Sequence, residues 1–480
     1  LNTYERNYWS LYLDFLDRFE ELKYKGISLP YLCHYRSLIK YAPLMKRLDQ
    51  DAFTLLLKNK VESNADVQAR FNRFIKKHTN KNKSKNNKGK IVIHDVYNLI
   101  RFPTPVLMKY FSPSSTMIIK DRKNPPKEKG YVRKEKDGNI PVHYFDEFTN
   151  DSSSVSAAVK VIQSQAKKIF KSLPNHPLYS DPKFRKVFLM QLKKIIHRVE
   201  QANKLFRSET VSCIVVASTH YPESRTLSIV AAKKGIPTVC MQHGIISSEF
   251  GYLPKIATVD AVYGTFEKVW YKQKGIEDSA VEVIGHPRFD QIFLNKPIGH
   301  GEFVRQLGLE PAKKTVLVVV RGNKDLPRWR KLVEALAKDE KFNILIKDFP
   351  SSQPHQLTID VPQALPSQNL HLYDLLHHVD AVVVYSSTVG LEAMLAGKPV
   401  FILNEEFPGY TGYYYGLSGL THNNPVKLAE IVQRYFNEDT MKTYEKKIRE
   451  KFLSSAYDTQ QLSGNRLMRL IDQLTNEDET

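Results

Sequence analysis

Cysteine is scarce in this chain. Its three residues in 480, Cys33, Cys213 and Cys240, are odd in number and far apart. That leaves neither a disulfide framework nor a cysteine-based zinc site, and it fits a reducing, cytosolic compartment. Long apolar runs are missing too: no stretch of about 18 apolar residues occurs. The opening LNTYERNYWSLYLDFLDRFEEL alternates acids and aromatics where a signal peptide would show a basic and then an apolar stretch. The expectation is a cytoplasmic protein that neither spans a membrane nor leaves by a signal peptide, while Leu1 in place of Met leaves room for residues upstream. Also absent are a glycine-rich dinucleotide fingerprint after a strand, a P-loop, a nucleophile elbow and an HExxH pair. Hydride transfer, ATP hydrolysis and serine hydrolysis lose support accordingly, and no resident cofactor or metal is expected.

What is present is an ordinary globular composition, 42% hydrophobic and 25% charged, over a length that suits two or three domains. The formal charge is +20, and +12 of it sits in two short segments. Residues 76–90, KKHTNKNKSKNNKGK, carry seven lysines and no acids; residues 120–136 carry eight basic and three acidic residues. Such an excess attracts nucleic acid, an anionic membrane surface or an anionic small substrate. The Asn/Lys-rich run lacks the interleaved aromatics that base stacking needs, and no zinc, helix-turn-helix or RNP-like pattern accompanies it. Nucleic acid is therefore not expected as a partner. A solvated loop remains the plain alternative to membrane contact.

Residues 1–75 read as a helical N-terminal extension: Tyr8, Leu11, Phe15, Leu16 and Phe19 recur at helical spacing, and PLMKRLDQDAFTLLLKNKV continues the pattern. A Lys/Asn-rich linker follows at 76–90. From there the pattern is α/β. KIVIHDVY and STMIIKD read as strands, 154–172 and 184–206 as long amphipathic helices, then VSCIVVASTH as a strand, ESRTLSIVAAKKG as a helix and IPTVCMQHG as a strand. A second series runs TVLVVVRGN, LPRWRKLVEALAKDE, FNILIKDFP, LHLYDLLHHVD, AVVVYSS, TVGLEAMLAG, KPVFILN. The alternation predicts two doubly wound Rossmann-like domains, over 91–295 and 300–425, with helices of 426–480 packing back across both.

Ligands of open α/β sheets bind beyond the carboxyl ends of the strands. That rule selects Ser218-Thr219-His220, His243-Gly244, His286-Pro287-Arg288, Arg321, Lys347 and Tyr385-Ser386-Ser387-Thr388. Histidines, cations and a hydroxyl cluster on one edge suit a phosphorylated ligand held between two lobes. In VVVYSSTVGLEAMLAGKPVFIL the hydroxyls of Ser386, Ser387 and Thr388 stand where a helix opens, a ready anion site. Glu392, one turn on, could reach ribose hydroxyls. Arg321 and Lys347 could neutralise a departing phosphate. His243, beside Gly244, could take a proton from an attacking hydroxyl. His286 is a second catalytic candidate, with Arg288 next to it and Asp290 able to orient either. His220 and Glu223 are candidates on the acceptor side.

At these residues the chain resembles the two-lobed GT-B transferases of bacterial surface polymers: CDP-glycerol glycerophosphotransferases of teichoic acid synthesis, capsule Kdo transferases, and spore-coat or capsular polysaccharide biosynthesis proteins. The resemblance covers about 210–405 and rests on MQHG, VIGHPRFD and YSSTVGLEAMLAGKPVFIL in order. It implies that His243 is the family's HG histidine, the catalytic base, that His286 to Arg288 are its GxPR-like turn, and that Ser386 to Thr388 hold donor phosphate. Where the glycerophosphotransferases have Asp-Tyr-Ser-Ser, this chain has Val384-Tyr385-Ser386-Ser387, and where they have His-Pro it has Asp348-Phe349-Pro350. Those departures lean toward the capsule or spore-coat members. The expected activity is a metal-independent glycosyl or alditol-phosphate transfer from a CMP-, CDP- or UDP-linked donor to a lipid-linked or polysaccharide acceptor, at the inner face of the membrane. The rival from the same architecture is a nucleotide-sugar 2-epimerase, which needs further cleft carboxylates such as Glu223 and Glu249.

Overall fold

The computed structural model describes every residue except 41, 81–87, 122–137, 150–152, 349–353, 368–369 and 477–480. Residues 81–87 of the first basic segment, nearly all of the second, and Phe349-Pro350 lie outside the described residues. A small antiparallel hairpin comes first, β1 (Lys23–Tyr24) and β2 (Ile27–Ser28), turned by Lys25 and Gly26, both at positive φ.

Two parallel sheets follow. The first contains β3 (Lys90–Asp95), β4 (Thr116–Lys120), β5 (Val142–Tyr144), β6 (Val211–Val216), β7 (Thr238–Met241), β8 (Val259–Val262) and β9 (Val281–Val283), in the order β5-β4-β3-β6-β7-β8-β9. The second contains β10 (Lys314–Val319), β11 (Phe342–Lys347), β12 (Ala364–Pro366), β13 (Ala381–Val384), β14 (Val400–Leu403) and β15 (Thr421–His422), in the order β12-β11-β10-β13-β14-β15. Runs such as VSCIVV and AVVV are buried along their whole length, as parallel strands covered by helices on both faces must be. Strand order reverses between β3 and β6 and again between β10 and β13, so each lobe opens a crevice at the carboxyl ends of those pairs. The architecture is the two-lobed α/β class expected from the alternation. Strands β5, β8, β12 and β15 are too short, two to four residues each, to stand out in a sequence pattern.

The first 75 residues are not an appendage. Helix Thr3–Phe19, started by a reciprocal capping box between Asn2 and Glu5, buries Phe15 and Phe19 against Phe188 at ring distances of 5.2 and 4.9 Å. Its side chains join the same core as Val92, Ile214 and Leu227 of the first lobe. The expected helical run after Pro43 is broken into a turn at Pro43–Arg47 and a four-residue helix at Asp51–Thr54. The first helix supplies the reason: Asp14 accepts from the Lys58 and Asn59 N–H groups at 3.0 and 2.9 Å, and Asn7 donates to the Leu48 and Gln50 carbonyls. Backbone groups satisfied by side chains have no need of a helix.

At the other end, helix Ser463–Thr475 returns to the first lobe, where Leu467 and Ile471 pack with Ile93, Cys213 and Val215. Among the described residues no helix is long and apolar enough to cross a membrane.

Candidate active site between the lobes

On the second lobe, β13 ends at Val384 and Ser387 caps the helix Thr388–Leu395, its Oγ accepting from the Val389 N–H at 3.3 Å. The Tyr414 hydroxyl donates to the Ser387 carbonyl at 2.6 Å. A Cβ on Gly390 would stand 2.7 Å from that hydroxyl oxygen, so only glycine lets the helix seat there. Ser386 Oγ lies 3.3 Å from Tyr410 Oη, and Tyr385 is half-buried beside the core. Across the crevice Arg321 is exposed, two residues past Val319, which is in register with Val384. Tyr385, Ser386, Ser387, Thr388 and Arg321, all selected from the sequence, share one strand-end crevice. Lys347 stands apart on β11: its ammonium donates to the Leu370 carbonyl at 3.0 Å, and burial lowers its pKa.

On the first lobe, His243 Nδ1 lies 3.0 Å from the Ala217 carbonyl, which can only accept. The proton therefore sits on Nδ1, and Nε2 is left as the basic nitrogen. Burial, with Arg101 adding to it, holds the imidazole pKa down to about 4, so it is neutral at pH 7. The Tyr252 ring lies nearly parallel at 5.4 Å, and its hydroxyl donates to the Gly244 carbonyl at 2.7 Å. A cavity of about 20 Å³, room for one water, lies among His220, His243, Tyr252 and Asp260. The lobes touch here: Thr388 Oγ1 accepts from the Ile245 N–H at 3.2 Å, and a Gly244 Cβ would lie 3.4 Å from that oxygen. Nearby, Glu249 N–H donates to the Gly409 carbonyl and Thr411 N–H to the Ser247 carbonyl.

Four sequence-selected residues are committed elsewhere. His286 Nδ1 accepts from the Arg288 N–H at 3.1 Å, capping the turn Pro287–Phe289. That nitrogen is spent, and burial holds the ring neutral. Arg288 reaches across to Glu392: Nη2 to Oε1 is 3.0 Å, while Glu392 Oε2 accepts from the Tyr373 hydroxyl at 2.8 Å. The phosphate and ribose roles expected of this pair give way, in this geometry, to a buried inter-lobe ion pair, and Glu392 raises the guanidinium pKa further. Asp290, expected to orient His286 or Arg288, instead accepts from the Ser463 and Gly464 N–H groups.

His220 is half-buried, with Nε2 unpartnered among the described residues; burial and Arg225 push its pKa well down. Glu223 is 1% exposed, its Oε1 taking the Tyr97 hydroxyl at 3.0 Å and the Lys194 ammonium. Sequence reasoning missed Tyr97, Arg101, Lys194 and His34. The strand-end rule applied to KIVIHDVY would have found Tyr97, two residues past the strand. No local signal marks His34, which the N-terminal segment brings to Tyr221 at a ring distance of 5.3 Å.

A family model described as "Capsule polysaccharide biosynthesis protein" matches residues 345–460, the second lobe's later strands and the helices beyond. A curated relative, the lipid-A-disaccharide synthase of Syntrophotalea carbinolica, is 24% identical over 233 residues, 45% of this chain and 55% of that protein. The match thus spans about half the length of that relative. Among solved structures, a UDP-N-acetylglucosamine 2-epimerase superposes with a TM-score of 0.50 at 11% identity, covering 83% of this chain and 98% of the other. HepE of Anabaena, in complex with UDP and glucose, gives 0.47 at 16% identity, covering 80% and 100%. The chain has the GT-B fold and resembles the polysaccharide transferases that use it.

Proposed function

We propose that the protein is a glycosyltransferase, or an alditol-phosphate transferase, that moves its group from a nucleotide donor on the second lobe to a hydroxyl acceptor on the first, without a metal. The observation that carries this reading is the Thr388–Ile245 hydrogen bond, which ties the Ser387-capped helix to the segment that starts at His243 and Gly244. It sets a neutral base beside an anion-binding helix N-terminus, the two groups such a transfer needs. In this reading His243 Nε2 takes the acceptor proton as the new bond forms at the donor carbon or phosphorus. The backbone N–H of Thr388 at the helix N-terminus, with Arg321, stabilises the departing nucleotide phosphate. The donor's own negative charge would raise the His243 pKa toward the range where a general base works well. The acceptor is a lipid-linked or polysaccharide hydroxyl, and the basic segments hold the enzyme peripherally at an anionic membrane face.

The epimerase reading loses one of its carboxylates. Glu249 is buried, accepting from the Trp9 indole at 2.6 Å and Asn64 at 3.1 Å and pairing with Lys274, so it braces the N-terminal segment.

The test is thermal shift with CMP, CDP, UMP, UDP and GDP, with and without EDTA. At about 100 times its dissociation constant a ligand adds about 2.7 kcal/mol to stability. A pyrimidine nucleotide should give the largest shift, unaffected by chelation, and Ser387→Ala with Arg321→Ala should remove it. No shift with any nucleotide would reject the donor site.

A further inference from the structure

The first lobe has its own crevice, at the reversal between β3 and β6, and its lining differs from anything in the second. The loop after β3 holds Tyr97 and Asn98 at φ 54° and 52°, left-handed positions that bulky side chains adopt only under constraint. Tyr97 is nonetheless 53% exposed, so core packing does not account for the constraint. Its ring stands 4.8 Å from that of Tyr221, at 61°, and the Tyr221 ring in turn meets His34 at 58°. Beneath them is Glu223, whose Oε1 is taken by Tyr97 and Lys194 and whose Oε2 is buried with no partner among the described residues. An unmatched carboxylate oxygen out of water is costly unless a donor comes to it.

We propose that this crevice is a subsite for a neutral pyranose ring of the acceptor, with Tyr97, Tyr221 and His34 as its aromatic wall and Glu223 Oε2 receiving a ring hydroxyl. The proposal rests on the transferase reading and names the acceptor class within it. A pyranose offers both things the crevice lacks: hydroxyl donors for Oε2 and an apolar C–H face to lie on aromatic rings. An alditol phosphate fits poorly, because its anion would approach an unmatched carboxylate. Of the cations near the rings, Lys194 is spent on Glu223, and Arg36 lies over the Phe250 ring. Arg225 is spent on the carbonyls of Thr219, Tyr31 and Cys33 at 2.7–3.3 Å. Those Arg225 bonds also tie the N-terminal segment to the turn after β6, so residues 1–75 complete this wall rather than sit beside it.

The experiment is saturation-transfer NMR on the full chain with methyl β-glucopyranoside, methyl N-acetyl-β-glucosaminide and glycerol 3-phosphate, with UDP thermal shift in parallel. At least one pyranoside should receive saturation and glycerol 3-phosphate none. Tyr97→Ala and Glu223→Gln should each weaken pyranoside binding about tenfold or more while leaving the UDP shift intact. Tyr97, half exposed, keeps the test valid if Glu223→Gln lowers the melting point. Glycerol 3-phosphate binding in place of the pyranosides, no binding of any probe, or pyranoside binding unchanged in Tyr97→Ala would overturn the subsite. Pyranoside binding without any UDP response would instead sink the transferase reading and leave the subsite standing.

Discussion

At the carboxyl ends of β10 and β13 the second lobe presents hydroxyls, a capped helix N-terminus and the exposed Arg321. At the carboxyl ends of β3 and β6 the first lobe presents a buried carboxylate, tyrosine rings and histidines held neutral. The topology of the two edges is the same, one strand reversal in a parallel sheet. In the proposed reading their chemistry is opposite: the second takes an anion and the first a neutral, hydroxyl-bearing surface. A shared fold thus supplies two crevices facing each other, and the side chains after each strand decide what enters.

The sharpest way to break this division is at His243, which belongs to the first lobe and stands two residues before Ile245, whose N–H bonds Thr388 of the second. His243→Ala should keep the fold and nucleotide affinity and lower turnover by about 10²-fold or more, read in steady-state assays on the true acceptor. Near wild-type turnover would take the base role from it. Next is the ion pair joining the lobes. Glu392→Ala leaves a buried guanidinium without its carboxylate and should cost about 3 kcal/mol, measured as a drop in the urea midpoint; an unchanged midpoint would mean the lobes do not depend on it.

Acid should discriminate between the lobes. His34 and His243 are both held down to about 4 from 6.5 by burial, so the unfolded chain binds protons first and stability falls as pH drops from about 6.5 toward 4. A shift of that size is worth about 3 kcal/mol per fully desolvated group, less for these half-buried rings. Glu267, raised to about 7 by burial, acts in the opposite sense, its contribution fading as pH rises through 7. His78, His220 and His286, also held down by burial, act in the same sense as these two, so His34→Gln should lessen the slope of the acid limb of the urea midpoint without removing it. The smallest effect is at the capping box: Asn2→Ala should cost about 1 kcal/mol. That loss should appear in the unfolding of the first lobe if residues 1–75 are part of its core, and a separate early transition would show them to be an independent unit.

Much of the architecture was legible because parallel strands buried on both faces must be continuous apolar runs. VSCIVV, TVLVV and AVVV announce themselves, and the strand-end rule then selects His243, Ser386, Ser387 and Arg321 without any structure. Legibility failed where partners are remote in sequence. The continuation after Pro43 has a helical pattern, yet Asp14 and Asn7 satisfy its backbone otherwise. Glu392 looks free in its helix and is paired with Arg288, 104 residues away. His34 has no motif around it and reaches the first lobe's crevice through bonds from Arg225.

The sequence by itself determined the two α/β lobes, the crevices at their strand ends and the residue types lining the second one, because periodicity and strand-end position are local properties. Tertiary structure alone decided which titratable groups are spent and which are available. Hydrogen-bond satisfaction is a property of neighbours in space: Ala217 fixes the tautomer of His243, Arg288 occupies Glu392, and the N-terminal helix, read as an extension, is packed into the core of the first lobe.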